Sequence, residues 1–396
     1  MILKKISIPI FLILITGSIG FAQVPKKDMA QLINDEFRFA IRQYKTLAKN
    51  IPDGKTPQSF ENGKPVNYDI KWWCSGFYAG SLWYLYEQSH DAAVKTEAEK
   101  ALKLIEPNQT YTGNHDLGFM MYCSFGNAYR LTANPEYKTV IQRSAASLAT
   151  RYRPKIKSIQ SWNKNKYWDC PVIIDNMMNL EMLNWASENG GEGKFKEIAV
   201  EHANTTLKNH FRPDFSSYHV IDYNPETGAI KRKATWQGAA DCSAWARGQG
   251  WALYGYTMMY RFTKDEAYLK QAKGIAHFIL NHPNLPADKI PFWDFDAPGI
   301  PYAKRDASAG ALIASALLEL GQYSSPQEKT VFKTAAETMI YALASPAYRA
   351  KLGDNGGFLL MHSTGAYPLN SEIDVPLVYA DYYYLEALLR YKKWYL

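Results

Sequence analysis

Two aspartates and one crowded helix start carry the residue types that proton chemistry needs. Asp175 sits in the run Val172-Ile173-Ile174-Asp175-Asn176-Met177-Met178. An apolar setting raises a carboxyl pKa and suits the group to donating a proton. Asp116 follows His115 and lies two residues before Gly118. Two carboxylates facing one mouth are the minimum equipment of a glycosidase. The stretch Ser243–Arg261, SAWARGQGWALYGYTMMYR, crowds Trp245, Arg247, Gln249 and Trp251 into seven residues, with Gly248 and Gly250 between them. Each helical glycine costs about 0.5–1 kcal/mol relative to alanine, tolerable where something must approach the backbone closely. The segment reads as a buried helix with a wet, aromatic, cationic first turn. The plainer reading is a core helix whose Arg247 pairs with a structural carboxylate. His219 precedes Gln237 on a stretch of alternating residues, and its neighbours Ser216, Ser217 and Tyr218 assign it no role. The chain has no G-x-S-x-G elbow, no glycine-rich phosphate loop, no H-E-x-x-H, no Cys/His zinc spacing and no calcium loop. Those absences speak against serine hydrolase, nucleotide and metal chemistry.

The elements that must position these residues are helices. Hydrophobic periodicity predicts twelve, over 28–49, 75–89, 92–104, 116–132, 136–151, 174–187, 193–209, 243–262, 265–281, 306–321, 327–343 and 374–392. Asp91, Asn134-Pro135 and Ser325-Pro326 mark three starts. Longer connections cover 50–73, 210–240, 283–305 and 345–373; the second reads as a β-hairpin around Asn224-Pro225-Glu226-Thr227-Gly228. An alternation appears. The even helices open on Trp72-Trp73, His115-Asp116, Asp175-Asn176, Trp245-Ala246-Arg247, Arg305-Asp306 and Asp374, whereas the odd ones open on ordinary polar residues. This predicts an all-α fold, an (α/α)6 barrel of six helical hairpins with a small β-hairpin insertion. The even helices would form the inner ring, their N-termini converging on one mouth whose partial positive charge suits an anionic ligand. A helical solenoid is the alternative, but no fixed repeat is visible. Asp306 and Asp374 are expected to be N-caps, the commonest role of Asp at a helix start.

Composition fits a large core and an exported product. The chain has 396 residues, 47% hydrophobic and 14% aromatic, with 11 Trp and 28 Tyr. Such aromatic excess points mildly to sugars, whose C–H faces stack on rings, although a large core also uses amphipathic aromatics at its rim. Lys4 and Lys5, the apolar run Ile6–Ile15 and the small residues Gly20 and Ala22 read as a secretory signal over 1–22, leaving one catalytic domain over 23–396. No later apolar run approaches the ~20 residues of a membrane span. A soluble protein, periplasmic or secreted, is expected. The net charge of +7 leans weakly toward anionic ligands, and no basic block suggests nucleic acid. Cys74, Cys123, Cys170 and Cys242 show no paired spacing, so buried free thiols are expected.

Several motifs then point one way together. NHDLGF (114–119), IIDNMMNLEML (173–183), Ser217-Tyr218-His219, TWQGAADCSAWARGQGW (235–251), PFWDFDAP (291–298), RDASAGA (305–311) and SEIDVPLVYADYYYLEALLR (371–390) resemble unsaturated glucuronyl hydrolases, glycoside hydrolase family 88. The resemblance runs from about Trp72 to Arg390. It implies an (α/α)6 barrel without metal or organic cofactor, acting on lyase-generated oligosaccharides that end in a 4,5-unsaturated uronic acid. It implies Asp175 as general acid/base, Asp116 as the second essential aspartate, and His219, Gln237, Arg247 and Trp251 as binding or catalytic positions. Trp73, or Trp72, resembles the tryptophan that stacks on the sugar. The family commonly has a histidine before the glutamine; here Trp236 stands there. Members favouring sulfated substrates carry Ser-x-x-Ser-x-Lys near the end; here Ser363, Ala366 and Pro368 occupy those places. An unsaturated rhamnogalacturonyl hydrolase shares the barrel and the WARGQGW start. A non-catalytic carbohydrate-binding protein would share the aromatic density.

Overall fold

The computed structural model describes residues 28–396; the predicted leader, 1–22, lies outside them. Helices run over α1 Met29–Lys49, α2 Ser75–Ser89, α3 Ala92–Ile105, α4 Asn127–Thr132, α5 Pro135–Ala149, α6 Leu180–Glu188, α7 Lys194–Asn209, α8 Ala246–Thr263, α9 Glu266–Asn281, α10 Ala307–Leu320, α11 Pro326–Leu343 and α12 Val378–Tyr395. A π-helical segment, Gly118–Gly126, leads into α4, and a 3-10 turn, Ile174–Asn179, leads into α6. α2 packs on the π segment, the π segment on α6 and the 3-10 turn, these on α8, α8 on α10, α10 on α12, and α12 back on α2. The even elements therefore close a ring. α3, α5, α7, α9 and α11 pack outside it on α2, the π segment, α6, α8 and α10, while α1 packs on α2 and α12. The fold is an (α/α)6 barrel.

The two rings follow from two kinds of sequence. α10, ASAGALIASALLEL, is buried at every residue, as expected of a helix apolar all round. α1 buries one face only, through residues such as Leu32, Ile33, Phe37, Ala40 and Tyr44. Cβ atoms on Gly76 or Gly80 of α2 would collide with backbone carbonyls of the π segment. Glycine there lets two inner elements touch backbone to backbone. The helix starts use the expected caps: Asp91 and Asn134 accept from the second helical N–H, and Ser325 forms a capping box with Glu328.

The β content exceeds one hairpin. β1 (Thr56–Glu61) pairs with β2 (Lys64–Tyr68), and β3 (Tyr152–Arg153) with β4 (Ser158–Ile159). The predicted hairpin is β6 (Val220–Tyr223) and β7 (Ile230–Ala234), but β5 (Pro171–Ile173) adds a third strand. β8 (Ser363–Ala366) pairs with β9 (Ser371–Val375). Asp374 is consequently not an N-cap. It sits in β9 and pairs with His362 (2.6 Å) and Lys304 (2.7 Å), while α12 begins only after Pro376. Proline disfavours helical geometry at the residue before it, so the helix cannot begin as early as 374. All four cysteines are unpaired; Cys74 and Cys170 are buried as expected, whereas Cys242 is exposed. No described helix is long and apolar enough to cross a membrane.

Candidate active site

A three-stranded sheet assembles the centre. Ile173 of β5 pairs with Val220 of β6, and Val220 pairs with Ala234 of β7. One step beyond this register, the Ile174 N–H donates to the His219 carbonyl at 3.0 Å. Asp175, His219 and Trp236-Gln237 thus leave three strands at the same sheet end. The backbone N–H groups of Trp236 and Gln237 donate to His219 Nδ1 at 3.1 and 3.2 Å. A ring nitrogen that accepts two N–H bonds carries no proton, so neutral His219 bears its hydrogen on Nε2. That nitrogen lies 3.6 Å from Asp175 Oδ2. Burial, then the Arg247 charge, holds the His219 pKa well below its ordinary value. The imidazole is therefore a neutral donor aimed at a carboxylate.

Asp175 is poised for proton exchange. Its Oδ2 is buried and has no hydrogen-bond partner. Burial pushes its pKa up to about 7, against the opposing charge of Arg247. The Trp251 Nε1–H also favours the ionised form, without reaching hydrogen-bond geometry. Asp116 opens the π segment: its carbonyl accepts from Met120 N at 2.9 Å, and its Oδ1 lies 3.3 Å from His115 Nε2. Burial first, then the Asp175 charge, pushes Asp116 up to about 8, against Arg151. Two carboxyls that interact titrate as a pair: whichever ionises first raises the other. Their carriers are fixed to each other. Phe119 N–H donates to Asn179 Oδ1 at 3.2 Å, and a Cβ on Gly118 would collide with Asn179.

The profile of Glycosyl Hydrolase Family 88 matches residues 42–394. The chain belongs to this family. An unsaturated glucuronyl hydrolase of Formosa agariphila is 44% identical over 393 residues, covering 96% of this chain and 97% of that protein. An unsaturated chondroitin disaccharide hydrolase of Streptococcus pyogenes is 33% identical over 350 residues, 86% of each chain. A solved unsaturated glucuronyl hydrolase specific for heparin superposes with a TM-score of 0.89 at 45% identity, covering 92% of this chain and 97% of that one.

The remaining expected site residues of this glycoside hydrolase gather around the same centre. Arg247 is buried and stacks between Trp245 (4.6 Å) and Tyr379 (5.3 Å). Its Nη1 donates to Asp306 Oδ2 (2.8 Å) and the Thr364 carbonyl (2.7 Å), and its Nη2 to the Gly365 carbonyl (2.6 Å). The plainer reading of Arg247 holds for these contacts: it ties α8 to α10 and β8. Its Nε is left without a partner, and its charge reaches both Asp175 and His219. Asp306 is also the α10 N-cap, accepting from Ser308 N at 3.0 Å. Gln237 Nε2 donates to the same Gly365 carbonyl at 3.2 Å. Gln249 grips the strand before His219 through Ser217, at 2.9 and 3.2 Å.

Aromatic rings make the floor. Trp251 lies 5.1 Å from Phe119, which meets Trp73 edge-on at 5.5 Å; Trp73 tilts against Tyr379 at 4.9 Å. Trp72 points elsewhere, stacked on Tyr68 at 4.6 Å with its Nε1–H on Gln58. The tight spots beside Gly248 and Gly250 are filled by Trp245 and by Leu312 of α10, so these glycines serve helix packing. Glu372, which no motif singles out as a site residue, also lies here. It adopts a left-handed φ of 56°, takes a hydrogen bond from Gln58, and lies across Gly365, where any Cβ would strike it. Burial raises its pKa. Its only signal was membership of the SEIDVP run.

Proposed function

We propose that the protein removes the 4,5-unsaturated uronic acid from the non-reducing end of lyase-generated oligosaccharides by hydrating the C4=C5 double bond. The observation that carries this is Asp175: a carboxyl whose buried Oδ2 has no hydrogen-bond partner, with a pKa near 7, facing a neutral histidine. The protonated carboxyl gives its proton to C4, and positive charge develops at C5 and the ring oxygen. Water adds at C5 while the Asp175 carboxylate takes the proton that water releases. The C5 hemiketal opens to a ketone, and the hydroxyl so freed on C1 lets that carbon collapse to an aldehyde, expelling the remaining sugar as an alcohol. One water is consumed, and Asp175 ends protonated as it began. A pKa near the working pH lets one group act as acid and then as base. Asp116 orients the sugar, and burial and then the Asp175 charge keep its own carboxyl raised. His219, Gln237, Trp73, Trp251 and the free edge of Arg247 hold the uronate. The names of the relatives support this substrate class over a rhamnogalacturonyl one.

The test is loss of the ultraviolet absorbance of the conjugated double bond in an unsaturated disaccharide. The parent protein bleaches it and Asp175→Asn does not; a binding protein without catalysis would leave it unchanged. The leader over 1–22 further supports export as a proposal. Mass spectrometry of the secreted protein should then find a chain starting near Gln23, and an intact Met1 would refute it.

A further inference from the structure

Beside His219 stands an aromatic wall that the hydration step does not use. Trp236 is held by its own backbone N–H on His219 Nδ1. Its ring lies 5.2 Å from Tyr167, tilted by 52°, and 5.9 Å from Trp168, edge-on at 75°. Trp168 is buried, braced by Arg232 at 4.3 Å and by Ile173, Val220 and Ala234 of the three-stranded sheet. Trp162 closes the row, edge-on to His219 at 6.1 Å. The wall is therefore rigid at its root and open at its tip: Tyr167 is 53% exposed. A large aromatic face held this firmly yet left open is what the C–H face of a pyranose stacks on.

We propose that Trp236 and Tyr167 form the binding subsite for the sugar released by the reaction, the pyranose glycosidically joined to the unsaturated uronate. This deepens the proposed function and rests on it. The double bond must meet Asp175, and the wall begins at the histidine facing that carboxyl. The Trp236 ring offers an apolar face beside that histidine. The subsite therefore takes a pyranose through its axial C–H bonds. Trp236 and Tyr167 are specificity-determining residues, not catalytic ones.

The test compares two substrates. One is an unsaturated disaccharide with an unsulfated hexosamine; the other is the methyl glycoside of the same unsaturated uronic acid, which has no second sugar. Trp236→Ala and the exposed Tyr167→Ala should each raise KM for the disaccharide about 3- to 10-fold, the size of one stacking contact, with kcat changed less than twofold. Both should leave the methyl glycoside within twofold of the parent. Trp236→Tyr, which keeps a ring, should stay near the parent on both. Equal losses on both substrates, or no change on the disaccharide, would overturn the subsite while leaving the hydration reaction standing. Failure of the parent protein to bleach either substrate would overturn both.

Discussion

The two ends of the barrel use similar residues to opposite effect. Toward the C-terminal ends of the inner helices lies a cavity of about 790 Å³, lined among others by Arg130, Arg261, Arg390, Glu181, Glu319 and Glu386. Every one of these charges is matched. Arg261 reaches Glu181 (2.8 Å) and Glu319 (2.7 Å), Arg390 reaches Glu319 (3.0 Å) and Tyr254 (2.7 Å), and Glu386 accepts from Tyr84 and Tyr254. Arg130 clasps Glu87 with both Nη atoms. Arginines there also answer the partial negative charge of helix C-termini. At the N-terminal end, Asp175 Oδ2, His219 Nε2, Arg247 Nε, Trp251 Nε1 and His115 Nδ1 are buried without hydrogen-bond partners. This cavity reaches Gly118 and Phe119 from the far side of the ring, but the charges it presents are already paired. Buried unpaired atoms occur elsewhere too, but here several ionisable ones converge around Asp175 and Asp116, the pattern of a site that a ligand completes.

The largest expected effect attacks the unpaired end. Asp175→Asn keeps size and packing but cannot transfer a proton, so kcat should fall at least 10²–10⁴-fold, the usual range for one acid or base. Substrate binding should persist, and the melting temperature should not drop, because a desolvated carboxyl has been removed. Bleaching kinetics and calorimetry on the same preparation check both. Near-parental kcat would transfer the acid/base role to Asp116. At the paired end the pattern should invert. Glu319→Gln leaves Arg261 and Arg390 short of charge; Arg261 is a third exposed, which softens the loss to about 2–3 kcal/mol. Denaturant unfolding should show that loss, while activity per folded molecule at 25 °C stays within twofold. A large kcat loss in Glu319→Gln would break the division between the ends.

Arg247 belongs to both kinds of region and separates its two roles by substitution. Arg247→Lys keeps the charge but loses the planar fork on Asp306, Thr364 and Gly365. KM should rise several-fold with the alkaline limb of the rate profile unmoved. Arg247→Gln also removes the charge that lowers the Asp175 pKa, so its alkaline limb should move to higher pH. A limb that stays put in both variants would mean that Arg247 does not tune the acid.

Much of this division was legible in the chain, though unevenly. Most helix ranges follow from periodicity, because their segments bury one face or all faces in a 3.6 pattern; the fourth and sixth predicted ranges open instead on a π segment and a 3-10 turn. Asp116, Asp175 and Arg247 stood out because polar residues at apolar helix starts violate that pattern. The three-stranded sheet was half visible: β5 has only three residues, too few to alternate, and pairs with a strand nearly 50 positions away. The π segment has no sequence signature, since its backbone spacing is imposed by packing on α2 and Asn179. The paired network was invisible for a related reason. Each of its charges looks like an ordinary exposed residue on its own helix, and only ring closure brings Glu319 between Arg261 and Arg390.

The smallest expected effect compares the two ends by the sign of their pH response. In the folded chain Asp175 and Asp116 have pKa values near 7 and 8, against an ordinary 3.8. The folded state therefore binds more protons than the unfolded one between these limits, and stability falls as pH rises through that window. Glu319 runs the other way. Burial pushes its carboxyl up, but Arg261 and Arg390 outweigh burial and hold it below its ordinary 4.5. Its contribution is present above that value and is lost as pH falls below it. Replacing both Asp116 and Asp175 by Asn should shrink the drop in melting temperature from pH 5 to pH 8 by a few degrees. The same variant should leave the acid side unchanged. Glu319→Gln should flatten the acid side only. If the double variant showed the parental slope from pH 5 to pH 8, the two carboxyls would not be held protonated, and the unpaired end would lose its acid.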